Sequence, residues 1–455
     1  MSILTQAEQG SKPEMIQRFF KEWRIGKLLH ETGARKEKGV PALRLFEFLF
    51  LLVFQNTIPY EAFRQDKDCA LGFAKDTVYR FLNATGINWE KFLLLLSAKV
   101  IRTRIAPLTS KARKRVFVLD DTVYERGRSK QVELLSRVFD HVTCRYKRGF
   151  QMLTLGWSDG NTFLPLGFRM MGSAKEKNVY CPQRDDLDSR TLAARRRKQA
   201  ISGKPACVID MLKRAIAAGV EASHVLFDSW FATPDMIHKI VALGLDAVTM
   251  LKATNWCCYR YGGKQISLEA LYRKTAGSHG RLYDVPIRFA SKEGSVIPAR
   301  VVFVKCNNKR GWLALLSTDV SMSDQEIIQL YGKRWEIEVF FKACKSSLSL
   351  EKELQTRDYD AIVAHATIVC CRYIMLTVQA RLDEDIRSWG DLMYLCFEEL
   401  EDISFQQSLQ LVLEEIISGI SSAFSLALAD VKNAILMCLK PAHPLGFAHV
   451  RVCES

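Results

Sequence analysis

The spacing of apolar residues changes period along this chain. Up to about residue 110, apolar positions recur every three to four residues, the spacing of one helix face. It predicts helices over 13–30, 41–55, 60–66, 74–83 and 88–105. The segment RVFVLDDT (115–122) then breaks the pattern with a continuous β-branched and apolar run ending in two aspartates. A strand buried in a mixed sheet reads this way. GFQMLTLGWSDGNTFLPLGFRMM (149–171) holds two apolar runs around Ser158-Asp159-Gly160-Asn161, which predicts a β-hairpin. A helix over 204–218 follows, then a short strand in SHVLFDSWF leading into Asp228. Thr233 and Pro234 suit the N-cap and first turn of the next helix, and LDAVTMLKA (245–253) reads as another core strand. Residues 255–318 read as β-rich, in the runs KQISLEALY, GRLYDVPIRFA, SVIPARVVFVKC and GWLALLSTD. Helical spacing returns for the rest, with helices expected at 358–382, 385–400, 404–419 and 423–439. The strand, the hairpin and then the helix near 204–218 follow the element order of an RNase H-like α/β fold.

This order divides the chain into a helical N-terminal region (1–110), the first part of the core (111–254), a β-rich insertion (255–320), a closing core segment with a helix (321–382) and a helical C-terminal region (383–455). Composition adds a direction. The formal charge is +15 with charged residues at 25%, so cations exceed anions in a chain that is not charge-poor. A nucleic acid is the leading partner and an anionic membrane surface the alternative. No apolar leader opens the chain, and the apolar run at 44–54 contains Glu47 and is too short to span a bilayer. Thirteen cysteines without a regular framework suit a reducing cytosol, with most of them acting as small core residues.

The candidate chemistry lies in YGKRWEIEVFFKACK (331–345). As one continuous helix it places Tyr331, Arg334, Trp335, Glu338, Lys342 and Lys345 on a face about 100° wide, opposite Ile337, Val339, Phe340, Phe341 and Cys344. One carboxylate among cations suits a metal held beside phosphates, with Glu338 coordinating and Arg334, Lys342 and Lys345 meeting the polyanion. An ordinary amphipathic helix with a Glu338–Lys342 pair has the same pattern. Asp120 and Asp228, 108 and 110 residues apart from their neighbours in the series Asp120, Asp228, Glu338, end two predicted strands. Carboxylates on different elements can converge to hold two divalent ions about 4 Å apart, and oxygen ligands favour Mg²⁺ or Mn²⁺.

Three further features bear on DNA. ALGFAKDTVYRFLNATG (70–86) reads as the second half of a helix-turn-helix, with Asp76 as N-cap and Arg80 facing DNA, or as a plain packed helix pair. IRTRIAPLTSKARKR (101–115), with Pro107 and six basic residues, reads as a junction whose charges can follow a phosphate backbone. Arg195, Arg196, Arg197 and Lys198 form a dense cluster that is either a solvated face or a phosphate contact. Cys438, His443, His449 and Cys453 lack a CxxC and make a weak zinc pattern, and no P-loop, GxGxxG or HExxH is present.

Tyr331, two residues, Arg334, three residues, Glu338, six residues, Lys345 resembles the Y-(2)-R-(3)-E-(6)-K signature of IS4-family DDE transposases. The stretches LDDTVYERGRSK, SRVFDHV, LTLGWSDG, FDSWF, LLSTDVS and YGKRWEIEVFFK extend the likeness over about residues 110–380. The resemblance implies an RNase H-like catalytic core with Asp120, Asp228 and Glu338 as catalytic metal ligands. Asp121 is the alternative to Asp120; the family pattern Asp, any residue, Thr fits Asp120-Asp121-Thr122. It implies a β-insertion that contacts DNA ends and a flipped base, for which Lys309, Arg310 and Trp312 are suited, though Trp312 equally suits the core of its strand. It implies that Tyr331, Arg334 and Lys345 act on the terminal phosphate and flanking strand during hairpin formation, while the place of Trp335 on the same helix face suits it to stacking. The expected activity is cut-and-paste transposition through a DNA hairpin, with two Mg²⁺ or Mn²⁺ ions, on terminal inverted repeats and target DNA. A homodimer in the DNA complex and a place in the bacterial cytoplasm at the nucleoid are implied too. A metal-dependent nuclease without strand transfer, or a silent transposase-derived DNA-binding protein, are the alternatives.

Overall fold

The computed structural model describes residues 14–35, 38–66, 71–253, 258–275, 282–290, 296–305 and 312–382. Its helices are α1 (Glu14–Glu22), α2 (Ile25–Glu31), α3 (Ala42–Leu51), α4 (Pro59–Gln65), α5 (Lys75–Leu82), α6 (Trp89–Val100), α7 (Leu192–Ala200), α8 (Lys204–Ala217), α9 (Pro234–Val241), α10 (Leu268–Thr275), α11 (Asp324–Gly332), α12 (Trp335–Ser346) and α13 (Tyr359–Leu382). Its strands are β1 (Val116–Glu125), β2 (Ser136–Asp140), β3 (Arg145–Ser158), β4 (Phe163–Met171), β5 (His224–Phe227), β6 (Asp246–Leu251), β7 (Cys258–Tyr261), β8 (Lys264–Ser267), β9 (Leu282–Ala290), β10 (Val296–Lys305) and β11 (Trp312–Ser317).

The eleven strands of the described residues form one sheet. Its core runs β4-β3-β1-β5-β6, with β1 antiparallel to β3 and parallel to β5. This is an RNase H-like mixed sheet. The two parallel joins are made through α8 and α9, because parallel neighbours need a crossover. The β-rich segment does not form a separate body. Its last strand, β11, pairs antiparallel with β6, so the insertion continues the core sheet through β10, β9, β7 and β8. KQISLEALY is only half strand: β8 ends at Ser267, whose Oγ accepts from Ala270 N at 3.2 Å, and α10 then buries Leu268 and Leu271. Three-residue apolar spacing after a serine cap outweighed the strand signal there.

The β3–β4 turn seats the catalytic segment. Asp159 Oδ1 accepts from the backbone of Asn161 and Thr162, both at 2.9 Å, and Gly160 takes a left-handed φ of +88°. A Cβ on Gly160 would stand 2.7 Å from the Lys333 side chain. Ser158 Oγ donates to Glu336 at 2.6 Å, and Lys333 Nζ donates to the Lys114 carbonyl at 3.3 Å. Lys333 and Arg334 therefore form a tight two-residue junction, with Arg334 N bonding to Tyr331 O and Glu336 N to Lys333 O. The expected continuous helix over 331–345 is two helices, α11 and α12, joined there.

The N-terminal helices meet this sheet through α6. α6 lies against β4, with Ser97 Oγ donating to the Pro165 carbonyl at 2.7 Å. The predicted 13–30 helix is split at Arg24 (φ 51°), where Lys99 Nζ takes the carbonyl of buried Trp23 at 3.2 Å. Helices at the other expected positions are present, α6 continuing into a π-turn at Ile101–Ile105. Asp76 does not cap α5: the N-cap is Ala74 and Asp76 sits in the first turn, while Arg80 is exposed.

α13 is the central core helix. Residues Tyr359–Arg381 are long and apolar enough to cross a membrane, with mean hydropathy 1.8, but 94% of that window is buried within the protein. Its buried Arg372 donates to the Phe50 carbonyl at 3.0 Å and to Glu353 Oε1 at 2.8 Å, tying α3 to the loop that leaves α12. The expected helices beyond 382 and the Cys438, His443, His449, Cys453 group lie outside the described residues.

Candidate active site

The parallel register of β1 and β5 pairs Val116 with His224, Phe117 with Val225 and Val118 with Leu226. Carried two residues further, the same register sets Asp120 beside Asp228. Strand β5 stops at Phe227, whereas β1 runs on to Glu125. Asp120 is therefore not at the end of its own strand, as the sequence suggested. It is where β1 loses its parallel neighbour and a crevice opens, the usual place for a site in an α/β sheet.

The cleft there has a volume of about 890 Å³ and is lined by Asp120, Asp121, Asp228, Arg334, Glu338, Lys342 and Lys345, among others. Asp120 comes from β1, Asp228 from the residue just after β5, and Glu338 from α12, which lies across β1. Arg334 joins two of the three: it donates to Asp120, and its Nη2 donates to Glu338 Oε1 at 2.7 Å. The Glu338–Lys342 pair expected of an ordinary amphipathic helix is thus replaced by Glu338–Arg334.

Alternation along β1 separates the two aspartates. Asp121 turns toward the start of α8, where Lys204 Nζ holds it at 2.6 Å. Its backbone N–H donates to Asp120 Oδ1 at 2.8 Å. Burial pushes the Asp120 carboxyl up to about 7, Arg334 opposing and the Asp228 charge adding to the rise. Burial also raises Asp228, against a backbone hydrogen bond from Trp230. The Arg334 guanidinium stands above its usual value: burial works against its charge, but Asp120, Tyr331 and Glu338 outweigh it. The site is a partly dehydrated cluster of carboxylates and cations, in which burial is the main cause of the raised carboxyl values.

Tyr331 is half-buried under Arg334, whose Cζ lies 5.8 Å from its ring centre. Lys345 donates to the Val123 carbonyl and pairs with Glu351 at 3.2 Å, so it also fixes α12 to β1. Lys342 is exposed at the cleft. Trp335 is 61% exposed in the first turn of α12 but is not among the lining residues. On the far side of α12, Ile337, Phe340, Phe341 and Cys344 are buried as expected, while Val339 is 52% exposed.

Two expected DNA contacts sit elsewhere. Trp312 stacks on Tyr272 (4.6 Å between ring centres) and meets Phe303 edge-on, inside the aromatic core of the insertion. Lys309 and Arg310 lie outside the described residues. The arginine cluster is split by the geometry of α7. Arg195 is exposed, but Arg197 is 1% exposed and donates to both Glu133 oxygens (2.6 and 2.7 Å) and to Asp360 at 2.8 Å. Arg196 donates to Asp360 and to the Ile87 carbonyl at 2.8 Å. Acidic partners more than sixty residues away, Glu133 and Asp360, draw these two into the interior, which a local charge count does not show. Arg197→Lys keeps the charge but loses the two-pronged contact. We expect a loss of about 1.5–3 kcal/mol in urea unfolding, with the salt dependence of DNA binding unchanged.

Sequence reading passed over Lys204, Trp230 and His141, which also line or border the cleft. For Trp230 the signal was its place two residues after Asp228. For Lys204 and His141 no local signal existed.

The chain matches a family model described as DDE superfamily endonuclease over residues 70–258, and one described as Transposase DDE domain over residues 186–375. No curated protein matches it. The first match contains Asp120 and Asp228, and the second contains Asp228 and Glu338. With an RNase H-like sheet and three carboxylates converging on one cleft, these two matches support assigning the chain to the DDE transposases.

Proposed function

We propose that the chain is a cut-and-paste transposase of the IS4 type, acting on the ends of an insertion sequence in the bacterial cytoplasm. The observation that carries this reading is the convergence of Asp120, Asp228 and Glu338 on one cleft, with Arg334 tied to Asp120 and Glu338. An all-oxygen donor set, with Asp120 lifted by burial and by a neighbouring carboxylate, fits Mg²⁺ or Mn²⁺. Asp120, Asp228 and Glu338 would hold two such ions. When bound, the ions supply Lewis-acid stabilisation of the attacking and leaving oxygens.

The protein's own groups do the positioning. Arg334 and Lys342 present charge to the phosphate, Lys345 holds α12 against β1, and Trp335 offers an exposed ring for stacking next to Arg334. Water hydrolyses one strand at the transposon end and frees a 3′-OH. That 3′-OH attacks the opposite strand, making a hairpin and releasing the flanking DNA. A second hydrolysis opens the hairpin, and the restored 3′-OH attacks target DNA. A homodimer bringing two ends together fits this sequence of steps.

The test is incubation of the full chain with the DNA flanking its own coding region in Mg²⁺ or Mn²⁺. Hairpin-ended intermediates, and joining of pre-cleaved ends to target DNA, are expected. Cleavage with neither product makes the protein a plain nuclease. Binding with no cleavage in either metal makes it a silent DNA-binding protein.

A further inference from the structure

Strands β2 and β3 extend beyond the core sheet as a two-stranded ribbon, paired from Ser136–Gly149 to Asp140–Arg145. Its two faces differ in charge balance. On one, Lys147 is neutralised by Asp140 at 2.9 Å and Glu125 at 3.0 Å. On the other, Arg137 lies directly opposite Arg148, and Phe139 directly opposite Tyr146. Like charges placed opposite each other on one sheet face destabilise a ribbon. No carboxylate of the described residues pairs with either arginine. Each is held over a tyrosine ring instead: Arg137 over Tyr146 at 4.0 Å and Arg148 over Tyr180 at 4.7 Å. Both tyrosines are about half exposed.

The ribbon is held in place. Asp140 ties its turn through Val142 N and Thr143 Oγ1, both at 2.9 Å. At its base Ser136 Oγ accepts from Ser173 N at 2.9 Å. The face leads to the cleft: His141, edge-on to Phe139 at 5.0 Å, and Val142, 93% exposed, line the same cavity as Asp120, Asp228 and Glu338.

We propose that this ribbon is a DNA-docking arm, with Arg137 and Arg148 bound to backbone phosphates of the duplex leading into the cleft. The inference rests on reading the cleft as a DNA-cleaving site. The tyrosine rings hold the two exposed guanidiniums in place, and with no carboxylate partner among the described residues they are left to meet a polyanion. A two-stranded ribbon also has the width to enter the major groove.

The test measures binding of the full chain to a short fluorescein-labelled duplex over a range of salt concentrations, which needs no cleavage. Each phosphate contact adds about 0.9 to the slope of log K against log[salt]. Arg137→Gln with Arg148→Gln should lower the slope by up to about 2 and weaken binding at least tenfold. Its thermal midpoint should hold or rise slightly, because two like charges leave one face. The Arg137→Lys, Arg148→Lys pair should keep most of the slope. An unchanged slope in the glutamine variant overturns the proposal, and so does a fall in thermal midpoint with the slope unchanged, which marks a structural role. Loss of cleavage activity in the wild type with normal ribbon-dependent binding would overturn the catalytic reading alone.

Discussion

Asp120→Ala, Asp228→Ala and Glu338→Ala are each expected to reduce Mg²⁺-dependent DNA cleavage by about 10³-fold or more, while duplex affinity stays within a few-fold. The size follows from losing a ligand for ions that contribute several kcal/mol of charge stabilisation, each 1.4 kcal/mol being about tenfold in rate. Binding is spared because these groups are anionic and contribute nothing favourable to phosphate contact. Folding is spared because Asp120 and Asp228 are carboxylates whose charge burial opposes. Asp121→Asn separates the two neighbours: Asp121 faces Lys204, so its loss should cost no more than about tenfold, roughly one lost charged hydrogen bond. Cleavage assays under single-turnover conditions check this. If Asp121→Asn abolishes cleavage and Asp120→Asn does not, the first ligand is Asp121. Strong cleavage by all three alanine variants removes the proposed site altogether.

The second large effect concerns stability. Arg372 is fully buried and spends its donors on Phe50, Leu49 and Glu353, with His365 on the other side of the Glu353 carboxylate at 3.0 Å. Glu353→Ala leaves a buried guanidinium without its carboxylate and should cost about 3–5 kcal/mol. Adding Arg372→Met removes the orphan charge and should recover part of that loss, though the Leu49 and Phe50 carbonyls then lose a donor. The same group makes the fold acid-labile. Burial alone would raise Glu353, but Arg372 and His365 hold it down to about 2, against an ordinary 4.5. Its contribution is complete above pH 4.5 and is lost as pH falls toward 2. Burial keeps His365 neutral, below its ordinary 6.5, so protonation of the unfolded chain already weakens the fold below that pH. Unfolding midpoints followed by circular dichroism should fall steadily from pH 6.5 downward, and Glu353→Ala should flatten the part of the curve below pH 4.5. An unchanged curve in that variant would show that this cluster does not set acid stability.

Legibility in the sequence followed the range of the interaction. The β3–β4 hairpin was readable because Asp159-Gly160-Asn161 closes its own turn within four residues. Thr233 as a cap was readable for the same reason, its Oγ1 accepting from Met236 N at 3.3 Å. The break at Lys333–Arg334 was not, because it is set by Ser158 and Lys114, more than 170 residues away. Nor was the burial of Arg196 and Arg197, whose partner Asp360 lies on α13. Trp312 was legible as an aromatic in a strand. That it packs on Tyr272 and Phe303 depends on a helix the sequence pattern presented as strand.

By itself the sequence determined the periods, the turns, the cationic balance and the three carboxylate-bearing segments, since each is written in neighbouring residues. It placed Glu338 on a helix and Asp120 and Asp228 near strand ends. Only the tertiary structure decided that β5 stops where β1 continues, so that the two aspartates meet at an opening in the sheet. Only it decided that Arg334 stands between Asp120 and Glu338, and that Asp121, on the same cleft, is paired with Lys204. Those outcomes depend on strand register and on contacts across more than eighty residues, and no local pattern of side chains encodes them.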